Sequence, residues 1–308
     1  PAEITHFCRN ILSACDFGYL SAGQLLERIA NTFRTMELLE RYRGHFYNWY
    51  DTRSLQPLHP LYISSVDSGN LAGYLLVLRS GLLDLPNQKM LGPHLFEGIR
   101  DTLSVLRDVL EGKLPDSLAG FRKELKSIIS APPATLPAAR LCLERLATYA
   151  GVTAEGFTDP GSQAAVWSQA LAHQCRNALN ELRLLTPWVF TDSAESQAEF
   201  PGMDGIPTLR ELAAIDTEAG SHARERMEAI ESLAWQSWNF AQIEYDFLYD
   251  KAHHLQVIGY NVDERQRDAP RLADRAIAPR QRHRAERRQP LVAGVRGPEQ
   301  LATPRRAV

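Results

Sequence analysis

No stretch of this 308-residue sequence approaches the roughly 18 consecutive apolar residues that a membrane-crossing helix needs. The longest candidate, Leu71–Leu78, is short and interrupted by Gly73. The N-terminus lacks the basic-then-apolar pattern of a secretory signal, and its start at Pro1 without Met fits either Met removal or a fragment. Four cysteines, Cys8, Cys15, Cys142 and Cys175, show no Cys-x-x-Cys spacing and no histidine at ligand distance, so buried reduced thiols are expected rather than a metal site or a disulfide framework. Strands do not alternate with helices, and the glycines form no phosphate-binding loop.

A charge of one sign is missing too, but only on average. The net charge of −3 hides a C-terminal stretch, 270–308, with ten Arg, no Lys and three acids (Asp274, Glu286, Glu299). That stretch carries +7 and leaves −10 on the remainder, which excludes a uniformly basic nucleic-acid binder. With seven Ala and five Pro it keeps no helical or strand period and reads as disordered. A basic arm is one reading of it. Another is a GC-rich gene translated out of frame, with the frame lost near residues 269–272.

What the sequence does have is helical periodicity. Ser21 and Gln24 form a capping-box pattern ahead of Leu25, Leu26, Ile29, Phe33, Met36 and Leu39, with Gly44 as the expected stop. Segment 45–66 is expected to be non-helical, ending in an extended Leu61–Val66. A second helix is expected from about Asp67 or Ser68, and others at about 93–111, 116–130, 136–150, 161–185 (opened by Asp159-Pro160), 208–215 and 218–242. Residues 186–206 read as a loop, and His254–Gly259 as a strand within a short β-hairpin near 250–262. The fold class is therefore all-α, a packing of helical hairpins.

Two loop segments stand out, the first for its dense mixture of aromatic and polar groups and the second for its short polar side chains. Gly44 to Thr52 contains Tyr47, Asn48, Trp49, Tyr50 and Asp51. Aromatic faces stack on sugar rings while short amide and carboxylate groups bond hydroxyls, so this is the composition of a carbohydrate subsite. The alternative is that the aromatics plug the core beneath a loop. Ser64 to Gly73 contains Asp67, Ser68 and Asn70, which are either sugar ligands at an open helix start or simply its caps. Acids in the third cluster, Glu244 to Asp250 and Val257 to Glu264, surround the expected hairpin and read as solvated or turn-forming. His253-His254 has no third ligand at metal spacing.

Together these clusters carry a resemblance. The run RGHFYNWYDTRSLQPLHPLYISSVDSGNLAGYLLVLRSGL resembles the central region of bacterial cyclic β-1,2-glucan synthases, and FLYDKAHHLQVIGYNVDERQRDA resembles the opening of that family's glycoamylase-like domain. The resemblance covers about residues 1–269. It implies a parent that is a very large inner-membrane enzyme. One separate region uses UDP-glucose to extend a β-1,2-glucan, and a C-terminal region resembles glycoside phosphorylases. The matching middle region is an (α/α)₆ toroid that cyclises linear glucan by retaining transglycosylation, chemistry that places an acid/base carboxyl and a nucleophile carboxylate about 5 Å apart.

On that resemblance, residues 1–240 belong to the helical central region, 241–269 open the glycoamylase-like domain, and 270–308 form the tail. Tyr47, Asn48, Trp49, Tyr50, Asp51, Asp67, Ser68 and Asn70 are the implied glucosyl contacts. The match stops near Asp268, before the part where the family's catalytic glutamates are expected, so no catalytic residue is assigned. Asp51 and Asp67 are read as subsite carboxylates. No cofactor or metal is implied in this region. The implied partners are the β-1,2-glucan chain and the parent's remaining domains, on the cytoplasmic side of the inner membrane. The isolated chain is expected to be soluble or to aggregate in the cytoplasm. A stand-alone carbohydrate-binding module, a hydrolase or phosphorylase acting on β-glucan, and a structural scaffold are the alternatives.

Overall fold

The structure is a computed structural model that describes residues 2–113, 115–159, 161–191 and 205–268. The tail, with its expected disorder or frameshift, and most of the expected 186–206 loop lie outside the described residues. Nine α-helices are present among them: α1 Ala2–Asp16, α2 Ala22–Leu38, α3 Ser65–Asp84, α4 Pro93–Val109, α5 Asp116–Ser130, α6 Leu136–Glu155, α7 Gln163–Leu185, α8 Leu209–Ala213 and α9 Glu218–Phe240. None of the described helices is long and apolar enough to cross a membrane.

The described fold is all-α: eight of these helices pack in two rings of four, and the short α8 packs on α9. In the first, α1 packs on α2 and α3, and α9 closes the ring against both of those. In the second, α4, α5, α6 and α7 each pack on the next, and α7 returns to α4. Contact between α7 and α9 joins the rings. Each helix supplies an inward stripe at 3.6-residue spacing, such as Leu25, Ile29, Phe33 and Met36 on α2 or Leu118, Phe121, Leu125 and Ile128 on α5. These residues merge into one core, where each buried aliphatic or aromatic side chain contributes about 1.5–3 kcal/mol. Phe33 and Phe240 meet edge-on at 5.2 Å and tie α2 to α9.

The turn between α1 and α2 enters the second ring. Gln174 donates through Nε2 to the Gly18 carbonyl at 2.7 Å and accepts from the Thr102 hydroxyl at 2.8 Å. Gly18 has φ +74, and a Cβ there would collide with the His94 carbonyl.

Several helix boundaries differ from the expected ones, for local reasons. The N-terminal helix α1 was not expected. The Ser21–Gln24 capping box forms in full, but α2 ends at Leu38. Gly44 is not its stop. It lies instead in a tight hairpin between β1 (Arg41–Tyr42) and β2 (His45–Phe46), where Arg43 (φ 52) and Gly44 (φ 86) supply the two positive-φ residues of a type I′ turn. Helix α3 starts two to three residues early because Ser64, rather than Asp67, Ser68 or Asn70, caps it, its hydroxyl accepting from Asp67 N at 3.1 Å. Likewise Ser162, not Asp159-Pro160, caps α7.

A small β-structure closes one end of the first ring. The expected hairpin exists as β4 (Tyr249–Asp250) with β5 (Leu255–Gln256). Beyond it, β6 (Gly259–Asn261) pairs antiparallel with β7 (Gln266–Arg267) and with β3 (Tyr62–Ser64). Ile63 opposes Tyr260, so segments about 200 residues apart share one sheet.

His45 fastens this end. It is buried, its Nε2–H donates to the Glu244 carbonyl at 2.7 Å, and Nδ1 lies 2.8 Å from the Ser68 hydroxyl. A carbonyl can only accept, so Nε2 carries the proton and Nδ1 accepts from Ser68. Burial pushes the His45 pKa down, against the opposing pull of the Glu244 carbonyl and carboxylate.

Two outcomes follow. Gly18→Ala strains a left-handed residue against α4 and should cost more than about 1 kcal/mol, read as a lower urea midpoint with a native-like helical spectrum. Below the ordinary histidine value of 6.5 the unfolded chain takes up a proton that folded His45 refuses, so His45 makes stability fall as pH drops. Between about pH 6.5 and 5, above the carboxylate range, the loss of urea midpoint should be smaller in His45→Gln than in the wild type.

Candidate functional site

All three segments singled out in the sequence meet at the strand-bearing end. Asn48 N donates to the Tyr62 carbonyl at 2.9 Å, Val262 N to Leu61 at 2.7 Å, and Ser65 N to Ile258 at 2.8 Å. The Ser65 hydroxyl reaches the Val257 carbonyl at 2.6 Å, and Glu244 N donates to Arg43. Beneath these bonds lies an aromatic cluster. Phe247 packs edge-on against Tyr42 at 5.5 Å, Tyr260 at 5.1 Å and His45 at 5.2 Å, while Tyr42 stacks on Tyr260. The Arg43 guanidinium covers Tyr42 and Phe247 at 5.6 and 5.3 Å.

The singled-out aromatics divide by exposure. Phe46 and Tyr47 are buried at 3% and plug the end of the core, whereas Trp49 is 54% exposed. Tyr50 is half-buried. Its hydroxyl donates to the Glu40 carbonyl at 2.7 Å and accepts from Tyr47 N at 2.8 Å. Burial raises the Tyr50 phenol to about 12, so it stays a neutral donor. Burial also raises Tyr47, as do the nearby carboxylates of Glu40 and Asp263.

Among the polar residues, Asp51 points back into its own loop. Its Oδ1 accepts from Ser54 N at 2.7 Å, Arg53 N at 3.0 Å and the Ser54 hydroxyl at 3.0 Å, and these bonds lower its pKa. Ser68 faces inward to His45. Asp67 is half-buried in the first turn of α3, and Asn70 is exposed one turn further on. The Oδ1 of Asn48 is buried, with no hydrogen-bond donor among the described residues.

The acids around the hairpins were read as solvated or turn-forming; Asp250 shapes its own turn, whereas Asp263 and Asp268 reach across to residues 59–62. Asp250 accepts from His253 Nδ1 at 2.7 Å and from Ala252 N at 2.8 Å. Asp263 accepts from His59 Nδ1 at 2.9 Å and from Leu61 N at 2.8 Å, the backbone bond being the larger cause of its low pKa. The Tyr62 hydroxyl bonds the Asp268 carboxylate.

Sequence reading did not pick out Tyr42, His45, Phe247 and Tyr260 as one unit. The available signal was Arg43-Gly44 between two aromatic-bearing dipeptides, a hairpin pattern that would have turned Tyr42 and His45 to the same place.

No protein-family profile matches the chain. The cyclic beta-(1,2)-glucan synthase NdvB of Rhizobium meliloti (strain 1021) is 27% identical to it over 271 residues. The alignment takes in 87% of this chain and 9% of that protein, so the chain spans a small part of its relative's length. Over nearly all of its own length, the chain is similar to a cyclic beta-(1,2)-glucan synthase.

Proposed function

We propose that this chain is a segment of a cyclic β-(1,2)-glucan synthase and that its strand-bearing end contacts the glucan. The observation that carries the reading is the convergence of three segments, two of them aromatic-rich and one rich in short polar side chains, at that end, with Trp49 held outward beside a buried core plug. Trp49 is the stacking platform for a glucosyl ring. Asp67 and Asn70 offer polar contacts from the start of α3, and half-buried Asn48 borders Trp49 with its Oδ1 turned away from solvent. Tyr47, Tyr50, Asp51 and Ser68 act by holding this surface in shape, through the bonds already described.

In the parent, the helical hairpins would form the approach to, and the opening turns of, an (α/α)₆ toroid that closes linear β-1,2-glucan into a ring by retaining transglycosylation. Residues 1–240 are the central helical part and 241–269 the start of the glycoamylase-like part. The boundary is one of lineage rather than of folding, because 244–268 is hydrogen-bonded onto 43–65. The acid/base and nucleophile carboxylates belong to another part of the parent, as does the region that uses UDP-glucose. The setting is the cytoplasmic side of a bacterial inner membrane.

Calorimetry with a linear β-1,2-gluco-oligosaccharide tests the surface. Trp49→Ala should weaken binding by about 1 kcal/mol, roughly fivefold, and leave the melting temperature nearly unchanged. A sharp drop in melting with no wild-type binding would show a scaffold instead. Incubated alone with linear β-1,2-glucan, the chain should release no cyclic product. Ring formation detected by mass spectrometry would place the catalytic pair within these residues.

A further inference from the structure

The outward face of α3 is apolar where a solvent-facing helix is ordinarily charged. Val66, Gly69, Gly73, Leu76, Ser80 and Leu83 are all exposed, Val66 at 57%, and they recur at alternating spacings of three and four. That is the period of a two-helix seam, in which one narrow stripe turns onto a partner helix. From Val66 to Leu83 the exposed positions of α3 carry no charge, and exposed Val77 widens the stripe. Nothing within the chain asks for the two glycines. No atom lies within 4 Å of where a Cβ would stand at Gly69 or Gly73, and glycine inside a helix weakens it. On a seam it lets two backbones approach closely.

The flanks of the stripe identify the occupant. Arg79 borders it on one side and Asp84, five residues later, on the other. The Arg79 guanidinium lies 5.6 Å from the Trp238 ring centroid, and its N–H groups meet no acceptor among the described residues. When two copies of α3 lie parallel and in register, Arg79 of one faces Asp84 of the other, and the two-fold axis repeats the pair. Antiparallel pairing brings each flank onto its like and leaves both charges unmatched. Self-pairing in register also brings no like charges together on the seam. That matters for a chain whose residues before the basic stretch carry −10. A helix of 20 residues is about 30 Å long, which suits an interface at the small end of the stable range.

We propose that the chain forms a parallel two-fold dimer through α3, with Val66, Leu76 and Leu83 on the seam and Arg79 paired to the partner's Asp84. The pairing involves no sugar, so it stands or falls apart from the function proposed above.

Sedimentation equilibrium of the full chain tests it. The wild type should rise to twice the mass of one chain as its concentration passes through the micromolar range. Leu76→Glu and, separately, Val66→Glu should each raise the dissociation constant at least about tenfold with an unchanged helical spectrum, because both side chains already face solvent in the single chain. Arg79→Glu should weaken the dimer about three- to tenfold, and adding Asp84→Arg to it should restore the wild-type value. A wild type that stays monomeric overturns the proposal and leaves the stripe to another protein. Association untouched by the two seam variants overturns it by naming a different face. A charge exchange that fails to restore the dimer overturns it by naming a different register or direction.

Discussion

One neutral imidazole holds together the strand-bearing end of the molecule. His45 reaches from a two-residue strand to the first turns of α3 on one side and to the backbone after α9 on the other. Both ring nitrogens are satisfied, one as donor and one as acceptor, so a single tautomer fits. Packing edge-on against Tyr245 and Phe247 removes water from both bonds, which strengthens them and makes a proton at that place unfavourable. Around this point the Arg43–Glu244 pair, exposed and 3.7 Å long, adds little. Position there is set by buried bonds and aromatic contact.

The same anchoring explains why one loop can serve two purposes. Phe46 and Tyr47 descend into the core and Tyr50 braces the loop from within, so the next outward residue in the run, Trp49, is presented on a stiff base. The internal bonds of Asp51 and the outward hold of Asp263 on His59 and Leu61 shape the loop without using backbone pairing alone. A surface that binds a flexible chain benefits from such preorganisation, because less ordering has to accompany binding.

Most of the helices were legible because a 3.6-residue apolar stripe is a local signal, and α2, α4, α5, α6, α7 and α9 all carry one. Starts and stops were less so. Ser64, Ser65, Asp67 and Ser68 are all plausible caps, and only the strand pairing of Ser64 with Gly259 decides among them. The aromatic loop could be read as a sugar subsite or as a core plug; Tyr47 lies inside and Trp49 outside, and nothing local to the sequence sets that division. The β3–β6–β7 sheet was out of reach for the same reason. Its β3–β6 register depends on residues about 200 positions apart, and strands of two or three residues carry almost no period of their own.

The two rings of helices differ in how their members are spread along the chain, and this has a kinetic side. Helices α4 to α7 are consecutive, so that ring can close through local contacts as soon as residue 185 has been made. The other ring must wait. Its α1, α2 and α3 leave the ribosome first, yet α9, their common partner, comes only after the whole of the intervening bundle. Synthesis therefore completes the later-made ring before the earlier-made one. During that interval the apolar stripes of the first three helices, Leu75 and Phe33 among them, lack their closing neighbour and are the part of the nascent chain most exposed to aggregation.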